Sequence, residues 1–497
     1  MNYVGTARPI HDAKGKATGY SKYAGDISLS NMAYLCMLHS KIPHGYVKAV
    51  HAEKALALPG VYGVYHCLNT SERKYNRYRS SFDQAYLANE ERAFNQYVRF
   101  VGDKIGAVAA CDQETAEKAA RLVEVEYEEL PFSIGFDDTL AGKNCLDGET
   151  PVRDEYELDV GEKQGSAEGL IEVCSTMELP RLHHATMETH ACIADYDPYI
   201  DMLTVYCPNQ AVHGIRTVLA DFLEMPESHV RVVKATMGGS FGAKQEWFLE
   251  PVTALVAKKL CRPVKLVYSR GEAMTDTIVR GAMRMSARGY YTPDGEMKEI
   301  YCDVTLDAGA YIGNAGDYVR ALAGKPTRCY RIPYMHYHGQ VISSNSPVSG
   351  AFRSWSAAEE ALMMERQLDA AAEKLGMDRL AIRLKNVARS GEEDKKLHLL
   401  LEDIRIGDAI TLGSEKFGWD KLKAEDAAFN ASQQRYRRGV GIGIGGHGNT
   451  YFPRFNDYGE GSISLNADGS MQANFTLHDH GCGTVTAMRM IAAEGHG

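Results

Sequence analysis

The segment that most restricts how this chain can fold is residues 237–244, Met-Gly-Gly-Ser-Phe-Gly-Ala-Lys. It lies between an apolar β-type run at 230–234 and a helical pattern expected over residues 246–260. Glycines in a strand-to-helix turn allow positive φ and close approach of a ligand to the backbone. A helix starting just after such a turn would offer unpaired amides to an anion. Two phosphate-loop patterns are excluded. Lys244 is followed by Gln245 rather than Ser or Thr, so this is not a Walker loop. The G-x-G-x-x-G spacing of a dinucleotide site is also missing. By itself the segment reads equally well as a plain tight turn or as a phosphate cradle.

Two further segments carry residues suited to chemistry. Residues 349–355, Ser-Gly-Ala-Phe-Arg-Ser-Trp, run into a helical pattern over 356–375. Arg353 offers a planar donor fork for phosphate and Trp355 could wall a pocket. Taken alone, a solvent-facing Arg beside a core Trp is the simpler reading. In residues 478–484, His-Asp-His-Gly-Cys-Gly-Thr, His478 and His480 would share one face of a strand. With no third ligand nearby they read as surface or half-buried histidines rather than metal ligands. His183, His184 and Glu188 are expected to pack or to line a pocket.

Composition narrows the class. A chain of 497 residues has room for two to four domains, and its formal charge of -10 gives no basic footprint for nucleic acid. That charge also argues against an anionic membrane surface. No apolar run reaches bilayer length, and residues 1–16 lack a secretory pattern, so a cytoplasmic location is expected. Eleven cysteines include no C-x-x-C pair. Zinc-ribbon and iron–sulfur ligand runs are therefore not visible, and most of the cysteines read as small buried hydrophobes.

The pattern is α+β in three units. The first, residues 1–135, ends in a β-α-β run: a strand at 105–111, a helix at 113–122 capped by Asp112, and a strand at 123–127. Residues 136–168, turn-rich and acidic, read as a connector. The second unit, 169–392, holds strands at 203–207 and 230–234 and a helix at 212–222. The third, 400–497, begins a hairpin around Ala467-Asp468-Gly469 and ends within a helical pattern.

In order along the chain, these segments closely resemble the large subunit of the xanthine dehydrogenase/aldehyde oxidase family. Residues 12–26 fit that family's opening D-x-x-x-K-x-T-G-x-x-x-Y-x-x-D. Met187-Glu188-Thr189 stands where the family has Met-Glu-Pro, and residues 237–244 where it has G-G-G-F-G-G-K. Ala351-Phe352-Arg353 matches its A-F-R, and Gly481-Cys482-Gly483 its G-Q-G. The resemblance implies an α/β-hammerhead domain followed by molybdenum-cofactor-binding α+β domains, the last one incomplete.

It also implies a molybdenum-pterin cofactor in cytosine dinucleotide form, held without a protein ligand to the metal. By matching position, Gln210, Gly239, Ser240, Phe241, Gly242, Arg353, Gly481, Cys482 and Gly483 would bind it. Gln245, Ala321, Trp355, Tyr451 and Phe452 would line a substrate pocket for an N-heterocycle or aldehyde. Iron–sulfur centres and FAD would sit on partner subunits. Three departures matter. Cys482 replaces a cofactor-binding Gln, Gln245 stands where purine-oxidising members have Glu, and Ala321 falls at the position of their substrate Arg. The family's general-base Glu is expected beyond Gly497, which makes a separate C-terminal fragment a candidate partner and the chain inactive alone. The alternative is a non-catalytic cofactor-binding or assembly module that keeps the fold.

Overall fold

The computed structural model describes residues 2–78, 89–146, 150–163, 165, 168–432, 435–447, 459–477 and 479–496. Two sheets organise it. The larger has seven strands in the order Val230–Lys234, Met202–Cys207, Ala191–Asp197, Val264–Val267, Ala33–His39, Lys104–Ala110 and Val61–His66. Its penultimate strand, Lys104–Ala110, is buried at every position, as a largely apolar run covered on both faces should be. The helix Gln113–Ala120 follows, and Asp112 caps it by accepting from the Thr115 amide at 2.7 Å.

This sheet joins stretches far apart in sequence. Ala33 pairs in parallel with Val264 and Leu35 with Leu266. The first unit of the chain thus continues the hydrogen-bond ladder of the second.

The second sheet has five strands: Ile171–Leu179, Ala282–Tyr291, Met297–Gly309, Tyr334–Ser343 and Val152–Gly161. The 19-residue helix Ala357–Leu375 lies on it and buries Met363, Met364 and Leu368. Each such side chain contributes about 1.5–3 kcal/mol on leaving water. The helix and sheet meet closely at Gly289, where a β-carbon would stand 2.7 Å from Nε2 of Gln367. Gln367 then satisfies itself on the sheet, donating to the Val173 carbonyl at 2.9 Å and accepting from Ser175 at 2.6 Å.

Three expectations need correction. Residues 136–168 are not simply a connector, because Val152–Gly161 is an edge strand of the five-stranded sheet. Its alternation of Tyr156, Leu158 and Val160 with acidic residues is a half-buried strand pattern masked by its charge. The helix expected from residue 246 begins at Glu250. Pro251, in its first turn, suits a helix start because its missing N–H would have had no intrahelical partner there. Finally, five of the eleven cysteines are buried, while Cys111, Cys174, Cys261 and Cys482 are exposed.

The third unit holds the helix Ile406–Phe417, the hairpin Gly461–Leu465 with Met471–Phe475, and the helix Thr484–His496. That last helix docks on the N-terminal stretch. The Glu494 carboxylate accepts from the amides of Asn2 at 2.8 Å and Tyr3 at 2.6 Å, and Thr486 accepts from the His11 amide at 3.0 Å. Among the described residues no helix is long and apolar enough to cross a membrane.

Candidate functional site

Val230–Lys234 runs parallel to Met202–Cys207, with Cys207 opposite Lys234. Parallel pairing places both carboxyl ends on one edge, the usual place for a ligand in sheets of this kind. The chain leaving the first strand becomes the glycine turn, and the chain leaving the second reaches Gln210.

The two stretches meet at once. Ser240 donates its hydroxyl to Oε1 of Gln210 at 2.5 Å and accepts from the Lys244 amide at 3.1 Å. Gln210 donates its own amide to the Lys244 carbonyl at 2.8 Å. Within the turn Gly239, Phe241 and Gly242 have φ of 100°, 54° and 104°. For Phe241 this left-handed conformation carries a steric cost, and it leaves the ring about half exposed, at 52%. Because the helix starts only at Glu250, the turn itself, not a helix N-terminus, presents these amides.

The 349–355 segment closes on the turn from the other sheet. Arg353 donates its amide to the Phe241 carbonyl at 2.7 Å. A β-carbon on Gly242 would lie 2.5 Å from the Ala351 carbonyl oxygen, so only glycine allows this approach. The Arg353 carbonyl accepts from Arg280 at 2.7 Å, while its guanidinium is exposed and has no polar partner among the described residues. Ser354, Trp355 and Ser356 follow with φ of 78°, 23° and 69°. Lys325 holds this strained run, donating to the Trp355 carbonyl at 2.6 Å and to the Ser356 hydroxyl at 2.8 Å.

A third strand of contacts comes from residues 479–483. His480 meets Nε2 of Gln210 at 3.0 Å, and Lys234 donates to the Asp479 carbonyl at 2.6 Å. The Asp479 carboxylate accepts from the amides of Gly481 at 2.6 Å and Gly483 at 3.3 Å, which shapes the loop around Cys482. The exposed Cys482 thiol lies 3.0 Å from the Thr484 hydroxyl, and this hydrogen bond draws it below the usual thiol range. His478 lies outside the described residues.

Gln210, Gly239 to Gly242, Arg353 and the Gly481-Cys482-Gly483 turn are therefore brought to one place. The expected pocket residues are spread more widely. Gln245 is half-buried in the glycine turn, its amide bonded to the Gly242 carbonyl at 3.2 Å. Ala321 is half-buried on the helix Ala315–Leu322, and the neighbouring Arg320 is committed to Asp154. That helix reaches the loops through Tyr318, whose ring meets Trp355 edge-on at 5.7 Å. Tyr451 and Phe452 lie outside the described residues.

The exposed Arg353 guanidinium is a donor suited to an anionic group. Gly481 and Gly483, both at positive φ, have nothing within 4 Å of where a β-carbon would stand. The Trp355 indole N–H is buried with no partner among the described residues, a donor that a bound group or water should satisfy.

From sequence, Glu188 is expected only to pack or to line a pocket, and Glu246 carries no expected role. Glu188 ties down the glycine turn, and Glu246, fully buried, has its carboxyl pushed up to about 8 by burial. Both lie within or beside segments already singled out, but neither burial nor pairing was visible from sequence alone.

Three family models match in chain order: an aldehyde oxidase and xanthine dehydrogenase a/b hammerhead domain over residues 18–131, and molybdopterin cofactor-binding domains over 152–387 and 412–497. The chain belongs to the xanthine dehydrogenase/aldehyde oxidase family. It is 29% identical to the xanthine dehydrogenase molybdenum-binding subunit of Escherichia coli O157:H7, matching 97% of this chain and 64% of that protein. It is 28% identical to the nicotinate dehydrogenase large molybdopterin subunit of Eubacterium barkeri, over 83% of this chain and 96% of that one. This member of the xanthine dehydrogenase/aldehyde oxidase family therefore spans about two thirds of one relative's length and nearly all of the other's. The quinoline 2-oxidoreductase of Pseudomonas putida 86 shares the fold, with a TM-score of 0.87 at 22% identity over 98% of this chain and 64% of that one. The fold is thus α+β, a hammerhead domain followed by molybdopterin-binding domains.

Proposed function

We propose that this chain is the cofactor-binding part of a molybdenum-dependent hydroxylase acting on an N-heterocycle or an aldehyde. The observation that carries this reading is the meeting of three distant segments, through Arg353 with Phe241, Gly242 with Ala351, and Gln210 with His480. A molybdenum-pterin cofactor, in our reading the cytosine dinucleotide form, would supply the two-electron redox centre when bound. The chain's own residues would position it. The Arg353 guanidinium and the main chain of Gly239 to Gly242 would take the phosphates. Gln210 would offer its amide, Phe241 would screen one side from water, and the Gly481-Cys482-Gly483 turn would lie along the pterin.

The substrate would enter beside Gln245, Ala321, Trp355 and the aromatic pair Tyr451 and Phe452, with a flat ring lying against the indole of Trp355. With Gln245 in place of an acid and Ala321 in place of an arginine, a purine is a poorer match than a simpler heterocycle. The Eubacterium barkeri relative is by name a nicotinate dehydrogenase subunit, which supports that class. Its name, large molybdopterin subunit, also supports an assembly of more than one subunit. Electrons would leave through iron–sulfur and FAD partner subunits, all within the cytoplasm.

The test is co-expression with candidate partner chains in a host that makes the cofactor, followed by metal and nucleotide analysis and dye-linked assay on heterocycles and aldehydes. Molybdenum and a cytidine nucleotide in near-equal amounts support the reading; absence of both overturns it. A second reading, a non-catalytic binding module, is favoured by one feature, the exposed Cys482 where the family carries Gln. Turnover on adding a chain with a Gly-x-Gly-Glu segment would reject it.

A further inference from the structure

We infer that residues 183–188 form a strap that holds the two cofactor loops in register, with Glu188 and His184 as positioning residues for the group bound between those loops. This rests on the proposed function only for the identity of that group. The strap itself is a matter of contacts.

One end grips the glycine turn. Glu188 accepts from the Gly238 amide at 2.7 Å and from the Lys244 ammonium at 2.6 Å, and its own amide returns a bond to the Gly238 carbonyl at 3.1 Å. Lys244 is only 1% exposed, so its charge has been taken out of water and depends on Glu188. A β-carbon on Gly238 would stand 2.4 Å from the Glu188 β-carbon, which shows how closely the strap lies on the turn.

The other end grips the 351–353 loop. His184 bonds through Nε2 to the Ala351 carbonyl at 2.8 Å and stacks on Phe352 at 4.2 Å between ring centres. Burial pushes its imidazole down to about 4, so at neutral pH the ring is uncharged, and the bond to a carbonyl places its one proton on Nε2. The middle is pinned from outside. Arg270 donates to the carbonyls of Thr186 at 2.6 Å and Met187 at 3.0 Å, and Thr186 donates to the Glu188 carbonyl at 2.7 Å. Only three residues lie between the two grips, so the strap has little slack. The loops it joins belong to different sheets, and a guest bound by both would feel any change in their separation.

The experiment uses the cofactor-loaded complex and measures the rate at which molybdenum and pterin are lost on dialysis. Glu188→Ala and His184→Phe, the latter keeping a ring over Phe352, should each speed that loss by about tenfold or more, the worth of a hydrogen bond to a charged or buried partner. His184→Gln, which can still reach the Ala351 carbonyl, should restore slow loss, a rescue that general destabilisation would not give. If Glu188→Ala fails to fold, Glu188→Gln takes its place, since it keeps the shape but leaves Lys244 without its counter-charge. Wild-type loss rates in every variant would overturn the strap.

Wild-type protein holding no molybdenum at all would count against the proposed function instead. The strap is then decided by amide exchange in the cofactor-free chain. Faster exchange in both 237–244 and 351–356 upon Glu188→Ala supports it, and no change in 351–356 overturns it.

Discussion

Gly350 lies directly against the Glu246 side chain: a β-carbon at that glycine would stand 2.6 Å from Oε1. The carboxyl is fully buried, and burial raises it to about 8, with the Arg77 guanidinium opposing the shift. Its ordinary value is 4.5, so folding favours the protonated form. The sign follows. The contribution of Glu246 to stability is fully present below pH 4.5 and is lost as pH rises through about 8. Glu246→Gln, which mimics the neutral acid, should therefore gain stability on the wild type between those limits. The gain should be on the order of 1–3 kcal/mol at pH 8 and near zero at pH 4. Thermal unfolding across that range reads this directly, and a constant difference at all pH values would refute it.

Gly242→Ala should separate the loops. The added carbon would meet the Ala351 carbonyl oxygen at 2.5 Å, and the position has a φ of 104°. We expect a loss of roughly 2–4 kcal/mol and of most bound molybdenum. Gly481→Ala provides the contrast, since φ is 101° there but the space is open. It should cost only about 1–2 kcal/mol, the conformational part alone. Denaturant midpoints with metal analysis on both variants check the ordering.

Arg353→Ala should divide stability from binding. The guanidinium is exposed and its backbone bonds to Phe241 and Arg280 survive the change. Stability should shift by no more than about 0.5 kcal/mol. Nucleotide content should fall about tenfold, since a charge-assisted phosphate contact is lost. Equal nucleotide in variant and wild type would remove Arg353 from the binding set.

Cys482 should be the first cysteine to alkylate in the cofactor-free chain. Its thiol is lowered by the Thr484 hydroxyl bond, whereas Cys36 and Cys67 are pushed up to about 12 by burial. Thr484→Val should slow its reaction with iodoacetamide roughly severalfold at pH 7.5. Peptide mapping after brief labelling follows the site, and bound cofactor should protect it.

Much of this architecture was legible in the sequence because it rests on local rules. The Asp112 cap, the helix Val212–Phe222 and the strand Val230–Lys234 follow from side-chain period and capping chemistry. What could not be read is contact between distant segments. Nothing local announces that Ala33 will pair with Val264, or that Lys244 will be buried against Glu188. The strand Val152–Gly161 was missed for a different reason: its acids suggested a solvated link, although alternate positions were apolar. The site was legible as a set of collinear motifs. Its geometry was not, since the meeting of Phe241 with Arg353 depends on two sheets being placed side by side.

The shared seven-stranded sheet sets a limit on modular exchange among relatives. Transplanting residues 18–131 alone would tear the Ala33–His39 strand from Val264–Val267 and leave two raw edges, each able to recruit a stranger's backbone. Chimeras should therefore be cut so that the Val264 strand travels with the hammerhead, even though more than 200 residues lie between them in the chain.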